Sequence, residues 1–514
     1  MVKKTSKILL SLSCLVLISS LLFAAEFKLD VQEYTLKNGL QLLMVEKHTA
    51  PVVSCVIRFK VGSVDEWPGL TGTSHLLEHM LFKGTKNIGT WNYEAEVPLM
   101  KEIDKTAAQM ETEEKKLQNP LAGGDETKLK QLREKLRELQ QKQKQYIIKD
   151  ELWETYMKNG GSFLNASTSE DGTQYFVSLP SNRLELWAYI ESDRMRQPIL
   201  REFYSERDVV FEERRLRTDT QPMGKLWEQF AAIAFTAHPY GWPVVGWASD
   251  ISTVKREQVE EYFRRHYSPN NAVIAIVGDI NPKQVIQLVE KYFADIPSQM
   301  PPEPVFTAEP EQKGERRVEV EFDANPQVLI GYHIPQAGHP DTYVLDVMAS
   351  ILSRGRTSRF YKNLVEDKKL ALAVNASSFQ SRYPDLFTIQ ATPLAPHTIP
   401  ELEEAIYQEI ERLKSEPVSD WELEKTRNQL EADFIRSLNS NTGLAFQLTN
   451  YQAVTGSWKF MVTLKEERKK VTPEDIRRLA QKYFTKSNRT VATLIKTKTE
   501  KQATSFIPEK KLTH

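Results

Sequence analysis

Two stretches of this chain, one near its middle and one near its end, carry the same pattern, and that repeat constrains the fold more than any other feature. Val254-Lys-Arg-Glu-Gln-Val259 runs through Tyr262 to His266-Tyr267-Ser268, then Asn271 and the apolar run Val273-Ile274-Ala275-Ile276-Val277. Val471-Thr-Pro-Glu-Asp-Ile476 runs through Leu479 to Tyr483-Phe484-Thr485, then Asn488 and Val491-Ala-Thr-Leu-Ile495. Each reads as an amphipathic helix, a short turn and a buried strand. The apolar positions and the asparagine fall at the same offsets, so the repeat is one of whole-domain size. A length of 514 residues also exceeds one ordinary core.

Ser298 to Gly314 holds Pro301, Pro302, Pro304 and Pro310 with few large apolar residues, which is linker composition. The expected layout is a first domain at 26–297, a linker at 298–314, a second domain at 315–500 and a tail at 501–514. Gln32 to Leu36 and Leu40 to Met44 flank Asn38-Gly39, a hairpin signal, and Ser54 to Val61 follows as a third strand. The fold class expected is α+β: two homologous domains, each a mixed β-sheet packed by helices. The first domain is longer because of about 100–158, rich in Lys, Glu and Gln, where Leu129, Leu132, Leu136 and Leu139 recur at heptad spacing. Asn119-Pro120 and Gly123-Gly124 break it, which predicts an inserted helical hairpin, either a contact surface or a solvated charged face.

Residues 1–25 read as a secretory signal peptide: Lys3, Lys4 and Lys7, then the apolar run Ile8 to Phe23, then Ala24-Ala25. A retained membrane anchor is the other reading; cleavage leaves no stable anchor, and Cys55 alone, which cannot form an internal disulfide. A periplasmic location is the expectation. The formal net charge of −1 gives no field to draw the chain to nucleic acid or an anionic membrane.

The decisive segment is Gly72-Thr-Ser-His75-Leu-Leu-Glu78-His79-Met-Leu-Phe-Lys-Gly-Thr85. Positions four apart share a helix face, so His75 and His79 can reach one metal ion. Zinc in catalytic sites takes His and carboxylate ligands and keeps a position for water. Glu78 can sit beside the ion without ligating it and take a proton from that water as general base. The alternative is two partly buried, hydrogen-bonded helix histidines. His-x-x-Glu-His reverses the more familiar His-Glu-x-x-His and is a zinc-peptidase signature.

With its flanks, the chain resembles the insulinase, or pitrilysin-like, peptidase family, which includes mitochondrial processing peptidase. The resemblance rests on Gly62-Ser-x-x-Glu66, His75-Leu-Leu-Glu-His79, Phe82-Lys-Gly-Thr85, Gly160-Gly161-Ser-Phe-Leu-Asn165-Ala166-x-Thr168 and His238-Pro-Tyr-Gly241. It implies a zinc metalloendopeptidase with one Zn2+ per chain, acting on peptides or unfolded segments. The family's Glu pair seven residues apart matches Glu206 and Glu213. Glu213 is then the third metal ligand with His75 and His79, and Glu206 a residue that orients a ligand. Glu212, about 100° round the helix, is the alternative ligand. Asn165 and Ala166 match substrate-side positions on an edge strand that receives the peptide as an added strand; an ordinary edge strand is the other reading.

Complete family members also use an Arg and a Tyr from a second-half domain to clamp substrate. Those positions fall near Leu386 and His397, which do not match, and Arg382-Tyr383 lies close by at a different spacing. Either a separate, zinc-less partner subunit supplies the pair, or the pair's true positions lie a few residues away; in both cases the family's chamber implies pairing with a similar-sized subunit, as a hetero- or homodimer. The competing function is a non-catalytic assembly or binding subunit of such a pair.

Overall fold

The computed structural model describes residues 29–497 apart from Pro120, so the expected leader at 1–25 and tail at 501–514 lie outside the described residues. The repeated unit supplies an interior strand to each of two sheets. In the first half the helix Arg256–His266 leads to a short 3-10 turn and strand β6 (Ala272–Gly278). In the second half the helix Pro473–Tyr483 leads to a matching turn and strand β11 (Arg489–Lys496). The asparagines do the same work in both: Asn271 Nδ2 donates to the His266 carbonyl at 2.8 Å, and Asn488 Nδ2 to the Tyr483 carbonyl at 2.9 Å. Each satisfies a carbonyl left open where its helix ends.

The first sheet contains β1 (Gln32–Thr35), β2 (Gln41–Glu46), β3 (Val52–Phe59), β4 (Ser162–Thr168), β5 (Thr173–Pro180) and β6, in the order β1-β2-β6-β3-β5-β4. The second contains β7 (Arg316–Phe322), β8 (Gln327–Ile334), β9 (Ala371–Ser378), β10 (Asp385–Pro393) and β11, in the order β7-β11-β8-β10-β9. Each has one parallel pair, β2 with β6 and β7 with β11, and is otherwise antiparallel. Without β1 the first order becomes the second. Both sheets are mixed, as the α+β reading expected, and β4 and β9 are equivalent edges.

Every residue of β6 is buried, so both faces of that sheet need cover. One face packs on helices of its own half. The other receives the helix Asn441–Thr455 of the second half, whose Leu444, Ala445 and Leu448 meet Leu43, Val56, Val273 and Ala275. The second sheet is covered reciprocally by the first-half helix Pro222–Ala234, through Leu226 and Phe230 against Leu329, Ala492 and Leu494. Gly331 of β8 permits that approach, since a Cβ there would lie 2.5 Å from the Phe230 ring. Each Leu, Val or Phe among them contributes about 1.5–3 kcal/mol by burial, which makes the contact between halves core-like.

The charged insertion is a hairpin of two helices, Tyr93–Gln118 and Glu126–Lys144. It begins before Met100 because the Asn92 side chain caps the first helix, accepting from the Ala95 N–H at 3.1 Å. Glu151–Lys158 is a separate helix that buries Leu152 and Tyr156 in the first core, so the expected 100–158 span merges two elements. Among the described residues no helix is long and apolar enough to cross a membrane.

One arginine ties the hairpin to the body. Arg201 is 1% exposed and pairs through Nε with Glu96, which is wholly buried and also accepts from Gln143. Its other nitrogens donate to the carbonyls of Lys83 (2.7 Å), Thr85 (2.8 Å) and Ile88 (3.1 Å). Replacing Arg201 with Ala strands a buried carboxylate and three carbonyls. The expected loss is about 3–5 kcal/mol, read as a lower urea midpoint by tryptophan fluorescence; a loss under about 1 kcal/mol would mean that the pair carries no net stability.

Candidate metal centre

The motif helix, Thr73–Met80, begins where the sequence supplies a cap at a distance. Both Glu66 carboxylate oxygens accept backbone hydrogen bonds, from the N–H of Gly72 and of Ser74, each at 2.7 Å. Burial pushes this carboxyl up to about 8, against the opposing pull of the two backbone hydrogen bonds. Gly72 has φ of 86°, and a Cβ on it would lie 2.4 Å from the Val245 carbonyl oxygen. Only glycine allows the motif to start this close to the 245–246 turn.

His75 and His79 lie one turn apart with ring centroids 4.9 Å from each other. Glu213 comes from the helix Phe203–Arg214. Its Oε1 lies 3.7 Å from His75 Nε2 and its Oε2 lies 3.2 Å from His79 Nε2. One ligand atom from each of the three residues falls within 4.8 Å of the others. Tetrahedral ligands about 2.0–2.1 Å from zinc stand roughly 3.3 Å apart, so the donor atoms are already near the spacing such an ion needs. Burial, then the neighbouring His79, pushes the His75 imidazole down to about 4. Burial alone would lower His79, but the carboxylates of Glu206 and Glu213 outweigh it and hold that ring up to about 9. Its hydrogen bond to His79 leads the causes that lower Glu213.

Glu206 accepts at 3.0 Å from His79 Nδ1 and pairs with Lys83 at 2.6 Å. Two turns along the same helix separate it from Glu213, so one helix face presents both carboxylates. A carboxylate on the second ring nitrogen fixes the tautomer and orientation of an imidazole that faces a metal. Glu212 turns away, half-exposed, and pairs with Arg215 at 2.8 Å. The end of this helix is fixed by buried Arg214, which donates to the Gly246 carbonyl at 2.7 Å and to Glu228 at 2.6 Å.

Glu78 lines the same cleft as the two imidazoles and accepts at 2.6 Å from the Thr168 hydroxyl of β4. Burial raises its pKa, opposed by the Thr168 bond and by His79. The cleft measures about 840 Å³, and Asn165 and Ala166 border it on the open edge of the first sheet. Trp227 and Val245 give it an apolar wall. Among the described lining residues the second half contributes Gln390. Leu386 is buried between the halves and His397 lies 3.7 Å from Glu401, so neither borders the cleft, in keeping with their mismatch to the family's clamp. Arg382 is bound to Asp65 instead.

Four contacts to these groups go beyond the sequence reading: Glu66 and Thr168, quoted there as motif flanks without a role, cap the motif helix and bind Glu78, while Lys83 pairs with Glu206 and Arg217 with Glu213 at 2.9 Å. Arg217 was within reach, since it follows Glu213 by four on a helical pattern. The other three depend on tertiary contacts between segments.

Two family models match the chain: "Insulinase (Peptidase family M16)" over residues 41–117 and "Peptidase M16 inactive domain" over residues 253–430. The chain is 28% identical over 488 residues to zinc protease PqqE of Helicobacter pylori, covering 93% of this chain and 96% of that protein. It is 23% identical over 466 residues to the mitochondrial-processing peptidase subunit beta of Lentinula edodes, covering 88% and 86%. The crystal structure of a protease from Helicobacter pylori superimposes with a TM-score of 0.76 at 26% identity, covering 91% of this chain and all of that one. With the fold and the motif flanks, these likenesses lead to one assignment: the chain belongs to the insulinase family of peptidases, family M16.

Proposed function

We propose that this chain is a zinc-dependent endopeptidase that cleaves peptides or unfolded segments, with one Zn2+ held by His75, His79 and Glu213. The observation that carries the reading is the approach of the Glu213 carboxylate to both imidazole Nε2 atoms, at 3.7 and 3.2 Å. Residues 26–297 form the catalytic half in this reading, and 315–500 the non-catalytic half. Bound zinc would activate a water and polarise the scissile carbonyl. Glu78, whose pKa burial raises, would accept a proton from a water in the cleft and return it to the leaving amine. Thr168 holds the carboxylate in place, and Glu206 holds His79. The free edge of β4, with Asn165 and Ala166, pairs with an extended peptide. A cleft of about 840 Å³ suits such a strand and excludes a folded domain.

The second reading, a non-catalytic subunit, draws on the match to a family model described as inactive. That match spans 253–430, and His75, Glu78, His79 and Glu213 all lie outside it. A peptidase with a complete donor set therefore remains the better reading. Since the described cleft takes only Gln390 from the second half, we also propose that a similar-sized subunit closes it, as a hetero- or homodimer, in the periplasm.

Metal analysis and peptide hydrolysis test the core of this proposal. Wild-type protein is expected to carry one zinc per chain and to cleave unstructured peptides. Glu78→Gln should keep the metal and lose about 100-fold or more in kcat. A zinc-free wild type, or full activity in Glu78→Gln, would contradict it. Glu213→Gln should weaken zinc retention in chelator competition. Glu206→Gln should cost about 10–100-fold in zinc affinity; an unchanged affinity would mean that His79 needs no outer carboxylate.

A further inference from the structure

We infer that Arg382 of the second half is a positioning residue for the cleft, acting through Asp65 and Asp171 on the two loops that hold Glu78 and the motif helix. This rests on the peptidase reading above. Arg382 Nη2 donates to both oxygens of Asp65, at 2.8 and 2.9 Å, and Nη1 to the Lys60 carbonyl at 3.3 Å. Its backbone N–H donates to Asp171 Oδ2 at 2.7 Å. Asp65 and Asp171 have side chains only 7% and 9% exposed. Arg382 itself does not border the cleft, so any effect it has on chemistry runs through these loops.

Each loop ends on a group the cleft uses. Asp65 precedes Glu66, whose carboxylate caps the motif helix through Gly72 and Ser74. Asp171 follows Thr168 by three residues, and Thr168 is the hydroxyl on Glu78. The loops also pair directly: the Ser63 and Val64 N–H groups donate to the carbonyls of Ser169 and Glu170, at 3.2 and 3.1 Å. Tyr240 completes the joint, donating its hydroxyl to Asp171 Oδ1 at 2.6 Å and accepting from the Tyr383 N–H at 3.2 Å. The guanidinium thus lies between two buried carboxylates, hydrogen-bonded to Asp65 and with Nε 3.7 Å from Asp171 Oδ1, and offsets their repulsion across the seam between these loops. With Nη2 on both Asp65 oxygens and Nη1 on the Lys60 carbonyl, the guanidinium fixes geometry as well as charge, which a lysine would do only in part.

The test compares zinc-saturated full-length wild type with Arg382→Gln, Arg382→Lys and Asp65→Asn, by steady-state cleavage of an unstructured fluorogenic peptide and by thermal unfolding. Arg489→Gln serves as control: Arg489 pairs with Glu315 and stacks on Tyr407, all within the second half. Arg382→Gln is expected to lower kcat about 10–100-fold with KM changed less than threefold, the size of effect seen when an outer partner of a reacting group is lost. Arg382→Lys should recover part of that loss, and Asp65→Asn should resemble Arg382→Gln. Arg489→Gln should lower the melting temperature and leave kcat unchanged. If Arg382→Gln fails to fold, Arg382→Lys and Asp65→Asn decide the matter by the same split. Unchanged kcat in the folded variants, or a kcat loss in Arg489→Gln that matches theirs, would overturn the inference. Absence of cleavage by the wild type would overturn the peptidase reading instead.

Discussion

The approach of one carboxylate to two imidazoles is the constraint on which the rest of the structure depends. His75 and His79 share a helix face, so their pairing is local. Glu213 is not local, and its helix must arrive within one or two ångströms of a fixed place. Three buried polar anchors set that approach. Arg201 joins the turn after the motif to the start of the Glu213 helix. Arg214 joins the end of that helix to Gly246 and Glu228. Glu66 fixes the start of the motif helix itself. Burying a charge costs free energy unless it is paired: Arg201 has Glu96 and Arg214 has Glu228, while Glu66 is held by two backbone N–H groups.

The halves are alike in topology but exchange a helix. Each sheet buries one face on its own helices and the other on a helix from the opposite half. This gives the first-half helix Pro222–Ala234 two duties. Leu226 and Phe230 face the second sheet, while Trp227 borders the cleft. The second half thereby positions a wall of a cleft to which it gives one described lining residue of its own, Gln390. A large apolar contact of this kind favours a fixed relation between the halves.

Much of the fold was legible because it is written in local pattern. The helix–turn–strand repeat, with its asparagine at a fixed offset, foretold two like units, and Asn271 and Asn488 explain why that residue recurs. The helix pairing of His75 with His79 follows from spacing alone. Glu213 needed the family resemblance, since four acidic residues crowd the segment from Glu206 to Glu213 and periodicity gives no distance to a helix far along the chain. The all-apolar β6 announced cover on both faces without saying that the cover crosses between halves. Thr168 stands in the sequence as a motif flank without a visible role, because its partner Glu78 is a neighbour only in the folded chain. The hairpin limits were misread where Asn92 caps early and where Tyr156 turns the last helix into the core.

An anomalous difference map at the zinc edge, from crystals of the wild-type protein grown with zinc, tests the central claim most directly. The account predicts one strong peak, with Nε2 of His75 and His79 and an oxygen of Glu213 each about 2.0–2.2 Å away. A map in which the ion avoids that trio, or in which Glu213 stands more than about 4 Å from it, would contradict the account.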